Sequence, residues 1–274
     1  MSSSELRHRG RWPPPPGRRV AVVGSRRPTP YGEAVAERLS HDLAATGAIV
    51  VSGLARGIDS AAHRGALDAD GTTIAVLGTG VDIVYPAENT ALAREILDKG
   101  GALVSQFPDG TPPRRRHFPM RNWTIAAISD AVVVVEAGEG SGAMITAEAA
   151  LSQGSEVMAV PGSVFSPLSV GPHQLLRDGA ALVQNARDVL AALGDQREIL
   201  DDPLLPPARL GLTTARGGDG LLRHLSETLP RTAADLARHL GLGFAEALAR
   251  LTALELDGHV RRRGDGFIRA IGKE

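Results

Sequence analysis

The chain has 274 residues, a formal net charge of −1 and no cysteine. That length accommodates one large α/β domain and a small one, the charge confines any nucleic-acid surface to a local basic patch, and disulfides, thiol catalysis and thiolate metal sites are excluded. No apolar run approaches transmembrane length, and residues 1–18 carry arginines without the apolar core of a signal peptide, so a cytoplasmic protein with no membrane partner is expected. Those first residues are Ser- and Arg-rich and end in the run Pro13 to Pro16, which reads as a disordered tail. Residues 19–24 form a short buried strand ending in glycine, and a turn with Pro28 and Pro30 leads to a helix over about 32–46. Strands follow at 48–52, 72–77 and 102–106, separated by helices at 58–69 and 88–99. A helix at 123–128, a strand at 131–136, a helix at 142–153 and a strand at 156–160 come next. Leu175 and Leu176 lie in a short helix, 180–183 is a last strand, and 188–193 is helical.

Strands that are apolar on both faces and alternate with helices imply a doubly wound parallel sheet of Rossmann-like type, here spanning 19–193. Residues 194–218 lose periodicity and hold Pro203, Pro206 and Pro207, the pattern of a linker. The remaining 219–274 read as helices at 221–229, 233–240 and 244–256, with Thr232 as an N-cap, followed by a hairpin turning at Gly264-Asp265-Gly266. Three helices and a hairpin make a winged helix.

Right-handed crossovers bring the strand-to-helix loops to one edge of such a sheet. Gly24, Ser25 and Arg26 form one loop, Gly53 and Arg56 belong to the next, and Gly140, Ser141 and Gly142 open a third. Exposed amides at a helix N-terminus favour an anion, and a guanidinium pairs with phosphate bidentately. Each loop by itself could be a tight turn and nothing more; three converging loops, two with arginines, point to an anion groove. A second element runs from Arg114 to Trp123, with Arg115, Arg116, Phe118, Arg121 and Asn122. Its arginines can track a phosphate backbone, and Phe118 offers a face to an unpaired base, worth about 1–3 kcal/mol. Aromatic residues are 3% of the chain, so stacking rests on few rings. His63 and His117 have no companion at metal-ligand spacing, and Asp59 suits a helix cap or an arginine partner better than catalysis. Neither a cofactor nor a metal site is expected.

These segments resemble the DprA/Smf family of DNA-processing proteins. The resemblance rests on 22–26, on 51–63, on 75–82 with 85–89, on 117–122 and on 160–162, in the family's order. It implies an extended Rossmann-like fold, a homodimer, single-stranded DNA in a basic pocket, and help in loading the RecA recombinase during natural transformation. No catalysis is implied. Carried over by position, the pocket falls on Gly24, Ser25, Arg26, Gly53, Arg56, Phe118, Arg121 and Asn122, with Arg115 and Arg116 beside a basic position. Trp123 stands where the family usually has another arginine, and Val170-Gly171-Pro172-His173 replaces a turn that usually contains Asn-Gly. Many members also carry an N-terminal helical domain, where a short Pro/Arg tail precedes the sheet here.

Two other readings compete. LOG-type nucleotide phosphoribohydrolases share the fold and use a glutamate shortly after a glycine loop, where this chain has Ile145 and Thr146. A transcription regulator would read duplex DNA with the third helix of the winged unit. That helix carries Glu246, Glu255 and, just beyond it, Asp257 against Arg250, which disfavours entry into a major groove.

Overall fold

The computed structural model describes residues 6–195, 224–225, 230–256, 259–263 and 266–269. The chain divides into two compact units, Met1–Leu200 and Asp201–Glu274. The elements of the first are β1 (Arg7–Gly10), β2 (Arg19–Val23), α1 (Pro30–Ala45), β3 (Ile49–Ser52), α2 (Ile58–Asp68), β4 (Thr73–Val76), α3 (Thr90–Asp98) and β5 (Ala102–Ser105). They continue with α4 (His117–Ala127), β6 (Ala131–Val134), α5 (Gly142–Ser152), β7 (Glu156–Ala159), α6 (Val170–Arg177), β8 (Ala181–Leu182) and α7 (Ala186–Ala192).

The eight strands form one sheet in the order β1-β5-β4-β3-β2-β6-β7-β8. Neighbours from β5 to β8 pair in parallel, and β1 pairs with β5 antiparallel. Side chains alternate between faces, as the pleat requires. Val20, Val22, Val50 and Val133 meet Leu39 and Leu43 of α1 and Ile58 of α2. Ala21, Val23, Val132 and Val134 meet Ile125 of α4 and Ala147 of α5. Both faces are covered, which is why these strands read as unbroken apolar runs. Helices α1 and α2 approach closely because α2 carries Gly65, where a Cβ would overlap the carbonyl of Glu37.

The sheet departs from expectation in two places. Residues 7–10, assigned to a disordered tail, form the edge strand β1, in register from Arg7 opposite Ser105 to Gly10 opposite Ala102. Leu6 is buried and Trp12 packs on the core, and the Arg18 guanidinium donates to the Leu193 carbonyl at 2.9 Å. The side chains of Arg7, His8 and Arg9 are exposed, so composition signals a solvated segment while the backbone pairing leaves no trace in it. Charged side chains also suit an edge strand, because they discourage pairing with another chain. The other departure is α4, which begins at His117 rather than 123. Pro119 falls in its first turn, where the missing N–H has no intrahelical partner to lose.

In the second unit, α8 (Ala233–Leu240) and α9 (Phe244–Leu256) are followed by the antiparallel pair β9 (Val260–Arg263) and β10 (Gly266–Arg269). Leu225, Leu236, Leu251, Leu254, Val260 and Phe267 form their core. Thr232 caps α8 by accepting from Asp235 N at 3.1 Å. Most of the expected linker 194–218, the helix at 221–229 apart from 224–225, and the hairpin turn at 264–265 lie outside the described residues.

One core histidine makes stability depend on pH. His63 is 0% exposed; its Nδ1 lies 2.7 Å from Thr73 Oγ1, which itself donates to the Val50 carbonyl. Thr73 therefore accepts from Nδ1–H, and the imidazole is neutral. Burial, then the charges of Arg121 and Arg64, push His63 down from 6.5 to about 3. Between those values the unfolded chain binds one proton more than the folded one, so stability falls as pH drops below 6.5. Urea unfolding is expected to show about 2 kcal/mol lost between pH 7 and pH 5 from this group. A His63→Gln variant, less stable at pH 7, is expected to lack that part of the pH dependence; the same loss in the variant would assign it elsewhere.

Candidate nucleic-acid interface

Strands β2 and β6 are neighbours whose crossovers leave in opposite directions, β2 toward β3 and β6 toward β7. Their carboxyl ends part there, and open α/β sheets bind ligands at such switch points. A groove of about 880 Å³ occupies the position. One wall is Gly24, Ser25, Arg26 and Arg27, after β2. The facing wall is Gly138, Gly140, Ser141 and Gly142, entering α5. Arg115, Phe118 and Tyr85 close the end.

The β2–α1 loop is tightly held. Ser25 N donates to the Glu136 carbonyl at 2.6 Å, and Ile58 N to the Ser25 carbonyl at 3.1 Å. Ser25 Oγ accepts from Arg27 N at 3.1 Å. Farther along, the buried Glu136 carboxylate accepts from Thr29 N at 2.8 Å and from Thr29 Oγ1 at 2.6 Å. Thr29 Oγ1 accepts from Gly32 N at 3.1 Å and so caps α1. Glu136 thus fixes the end of the loop that displays Arg26 and Arg27. A side chain at Gly24 would meet Ile58 Cγ1 at 2.7 Å and the Glu136 carbonyl at 2.8 Å, so only glycine lets β2 lie this close to α2.

Arg26 and Arg27 are exposed, and among the described residues no carboxylate lies within ion-pair distance of either. The Arg26 guanidinium carbon sits 5.4 Å from the Phe118 ring centroid, and that ring is tilted against Tyr85 at 5.6 Å. Across the groove, Ser141 caps α5 by accepting from Ala143 N at 3.3 Å. Gly140 adopts φ +67°, a left-handed conformation that costs a side-chain-bearing residue more. The wall therefore presents small residues and a helix N-terminus, a favourable place for an anion.

Arg121 takes a role the sequence did not suggest. It is 4% exposed and lies at the groove floor. Its Nη1 donates to the Val76 carbonyl at 2.9 Å and to the Gly53 carbonyl, and its Nε donates to Asn122 Oδ1 at 3.0 Å. Asn122 Nδ2 donates in turn to the Gly142 carbonyl at 2.9 Å. Arg121 and Asn122, expected to touch phosphate, line the groove and also tie together the segments at Gly53, Val76 and Gly142. Asp59 Oδ2 accepts from Gly53 N at 3.1 Å and Ala55 N at 3.3 Å. Burial raises the Asp59 carboxyl, and the nearby Arg121 charge opposes that rise. Burial lowers Arg121 to about 10, Asp59 supports its charge and Arg26 repels it. Arg121 therefore stays cationic at neutral pH, and an anion beside Arg26 relieves a repulsion.

The other expected site residues divide. Gly53 is buried beneath Arg121, where a Cβ would overlap the guanidinium. Arg56 stands outside the groove in a bidentate pair with Glu88. Arg115 lines the groove; Arg116 is exposed outside it. The sequence reading missed Arg27 and Tyr85. Arg27 was legible as the second of two tandem arginines, whereas Tyr85 reaches the site only through a long loop after β4.

Two arginines with opposite roles are separable by stability. Arg121→Ala removes a buried cation and strands Asp59, so a loss of about 3–5 kcal/mol in urea unfolding is expected. Arg26→Ala touches an exposed side chain and should stay within about 0.5 kcal/mol of wild type. Equal stabilities for the two variants would contradict the buried role of Arg121.

Comparison with known proteins agrees with this architecture. A family model described as DNA recombination-mediator protein A matches residues 4–194, and one described as the DprA winged helix domain matches 206–266. Protein Smf of Escherichia coli K12 is 47% identical over 174 residues, 64% of this chain and 46% of that protein. The structure of DNA processing protein A from Streptococcus pneumoniae aligns with a TM-score of 0.60 at 44% identity, covering 64% of this chain and 61% of that one. A structure of DNA processing protein A from Helicobacter pylori, concerned with its single-stranded DNA binding mode, aligns with a TM-score of 0.59 at 32% identity, covering 64% and 80%. The chain spans 46–63% of the length of the first curated relatives it matches. No helix among the described residues is long and apolar enough to cross a membrane. With a parallel switch-point sheet, a winged helix and both family models matched in order, the chain belongs to the DNA recombination-mediator protein A (DprA) family.

Proposed function

We propose that this protein binds single-stranded DNA in the switch-point groove, protects incoming strands during natural transformation, and helps load the RecA recombinase onto them. The observation that carries the reading is the Arg26–Phe118 pair facing the α5 N-terminus. It sets a cation, an aromatic ring and an amide-rich turn around one cleft. Cationic grooves with stacking rings bind single strands with little sequence preference. A single-stranded DNA binding mode is described for the Helicobacter pylori relative, and the family's description as a recombination mediator supports the second half of the reading. The protein works as a cytoplasmic homodimer in this proposal, the dimer doubling the length of strand held.

This is a binding function rather than catalysis. Asp59 is the one carboxylate among the described residues lining the groove, and its Oδ2 is engaged by two backbone amides. Thr146, near the place of the glutamate that LOG-type hydrolases use, is buried with its hydroxyl turned to the Gly142 carbonyl. Duplex reading by the small unit has little support, because Arg250 pairs with Glu246 at 2.7 Å and Arg262 with Glu255 at 3.3 Å.

A salt titration of binding to labelled oligo-dT and to a duplex of equal length tests the proposal. Preference for the single strand is expected, with log K falling by about 0.7 per phosphate contact against log salt. Arg26→Ala should bind more weakly with a slope shallower by about 0.7. Equal affinity for both DNAs, unchanged in Arg26→Ala, would remove the groove as the DNA site.

A further inference from the structure

The loop after β7 holds an aromatic ring in water. Phe165 is 93% exposed and its neighbour Val164 79%. Hydrogen bonds within the loop hold its backbone in this display. Phe165 N donates to Ser163 Oγ at 3.3 Å, and Ser166 N to the Ser163 carbonyl at 3.0 Å. Ser166 Oγ then accepts from Leu168 N at 3.3 Å and opens the single turn Pro167–Ser169. Both ends are anchored to the groove's own framework. The Tyr31 hydroxyl donates to the Pro161 carbonyl at 2.9 Å, His173 Nε2 meets the Gly162 carbonyl at 3.1 Å, and Ala137 N donates to the Leu168 carbonyl at 2.7 Å.

Ala137 directly precedes the glycine wall, and Leu168 itself lines the groove. Phe165 lies three residues before Leu168, so its backbone is within about 10 Å of the rim by chain reach. From 161 to 171 the loop carries no acidic side chain that would repel a phosphate backbone. Phe118, a groove-lining ring in contact with Arg26 and Tyr85, offers a face to one base. Of the two rings at this loop Phe165 is much the more exposed, Tyr31 being half exposed with its hydroxyl bound to Pro161.

We infer that Phe165 is a second stacking platform, receiving a base of the same strand whose phosphates occupy the switch-point groove. The inference rests on the single-stranded DNA reading above. It extends the footprint across the carboxyl ends of β6 and β7 without adding a phosphate contact. A solvated ring that loses only stacking on deletion also leaves the fold untouched, so the variant is clean.

Anisotropy titrations of labelled dT oligomers of increasing length, with wild type, Phe165→Ala, Phe165→Tyr and Arg26→Ala, test it. On the shortest oligomers Phe165→Ala should match wild type. On longer ones it should bind about 5- to 150-fold more weakly, the value of one stacked base, with an unchanged salt slope and with Phe165→Tyr restoring affinity. If Phe165→Ala matches wild type at every length while Arg26→Ala is weaker, the groove stands and the platform is wrong. If Phe165→Ala binds DNA normally but its particle mass halves, the ring serves contact between copies and the platform is likewise wrong. If Arg26→Ala also matches wild type, the groove reading fails with it.

Discussion

One buried cation organises the site. The Arg121 guanidinium joins the carbonyls after β3 and β4, and Asn122 relays it to the entry of α5. Asp59 compensates the charge from the start of α2 while holding the amides of Gly53 and Ala55. A buried ion pair of this kind is weak evidence for stability, because desolvation offsets much of the attraction. Its worth here is positional. The carboxyl ends of three strands, β3, β4 and β6, keep a fixed geometry beside the place where the sheet changes direction, and the groove exists because they do.

On that floor the ligand-facing chemistry is simple. Arg26, Arg27 and Arg115 supply exposed charge, Phe118 and Tyr85 supply ring faces, and the 138–142 turn supplies small residues before a helix N-terminus. Phosphate contacts give affinity without reading bases, and stacking tolerates every base. The groove thus suits a polymer with repeating charge and unpaired rings better than a single nucleotide, which would use one anion subsite and leave the other cations unmatched.

Much of this was legible in the sequence. Apolar strands with helices between them gave the doubly wound sheet, and glycines at strand ends marked the loops that converge. Two kinds of information were not legible. A side chain's type does not say which way it faces. Arg121 and Arg26 look alike as letters, yet one is sealed beneath the groove and the other displayed over Phe118, because α4 begins at His117 and turns Arg121 inward. Arg56 looked like a phosphate ligand, and its exposed pair with Glu88, on a separate segment, was not readable from the local sequence. Backbone pairing of charged segments was the other gap. The Arg7–Gly10 strand gains its place through hydrogen bonds to β5, which residue type does not encode. Tyr85 lay in the recognised segment 85–89, but its return to the groove through a long loop is not visible in residue type.

The central claim is that the switch-point groove holds the strand, with Arg121 as its frame rather than its ligand. A crystal structure of this protein with a short oligo-dT tests it most directly. The expected result is a phosphate between Arg26 and the 140–142 turn, a base against Phe118, and Arg121 still bonded to the carbonyls of Gly53 and Val76. A strand bound on another face, or Arg121 released from those carbonyls to grip a phosphate, would contradict it.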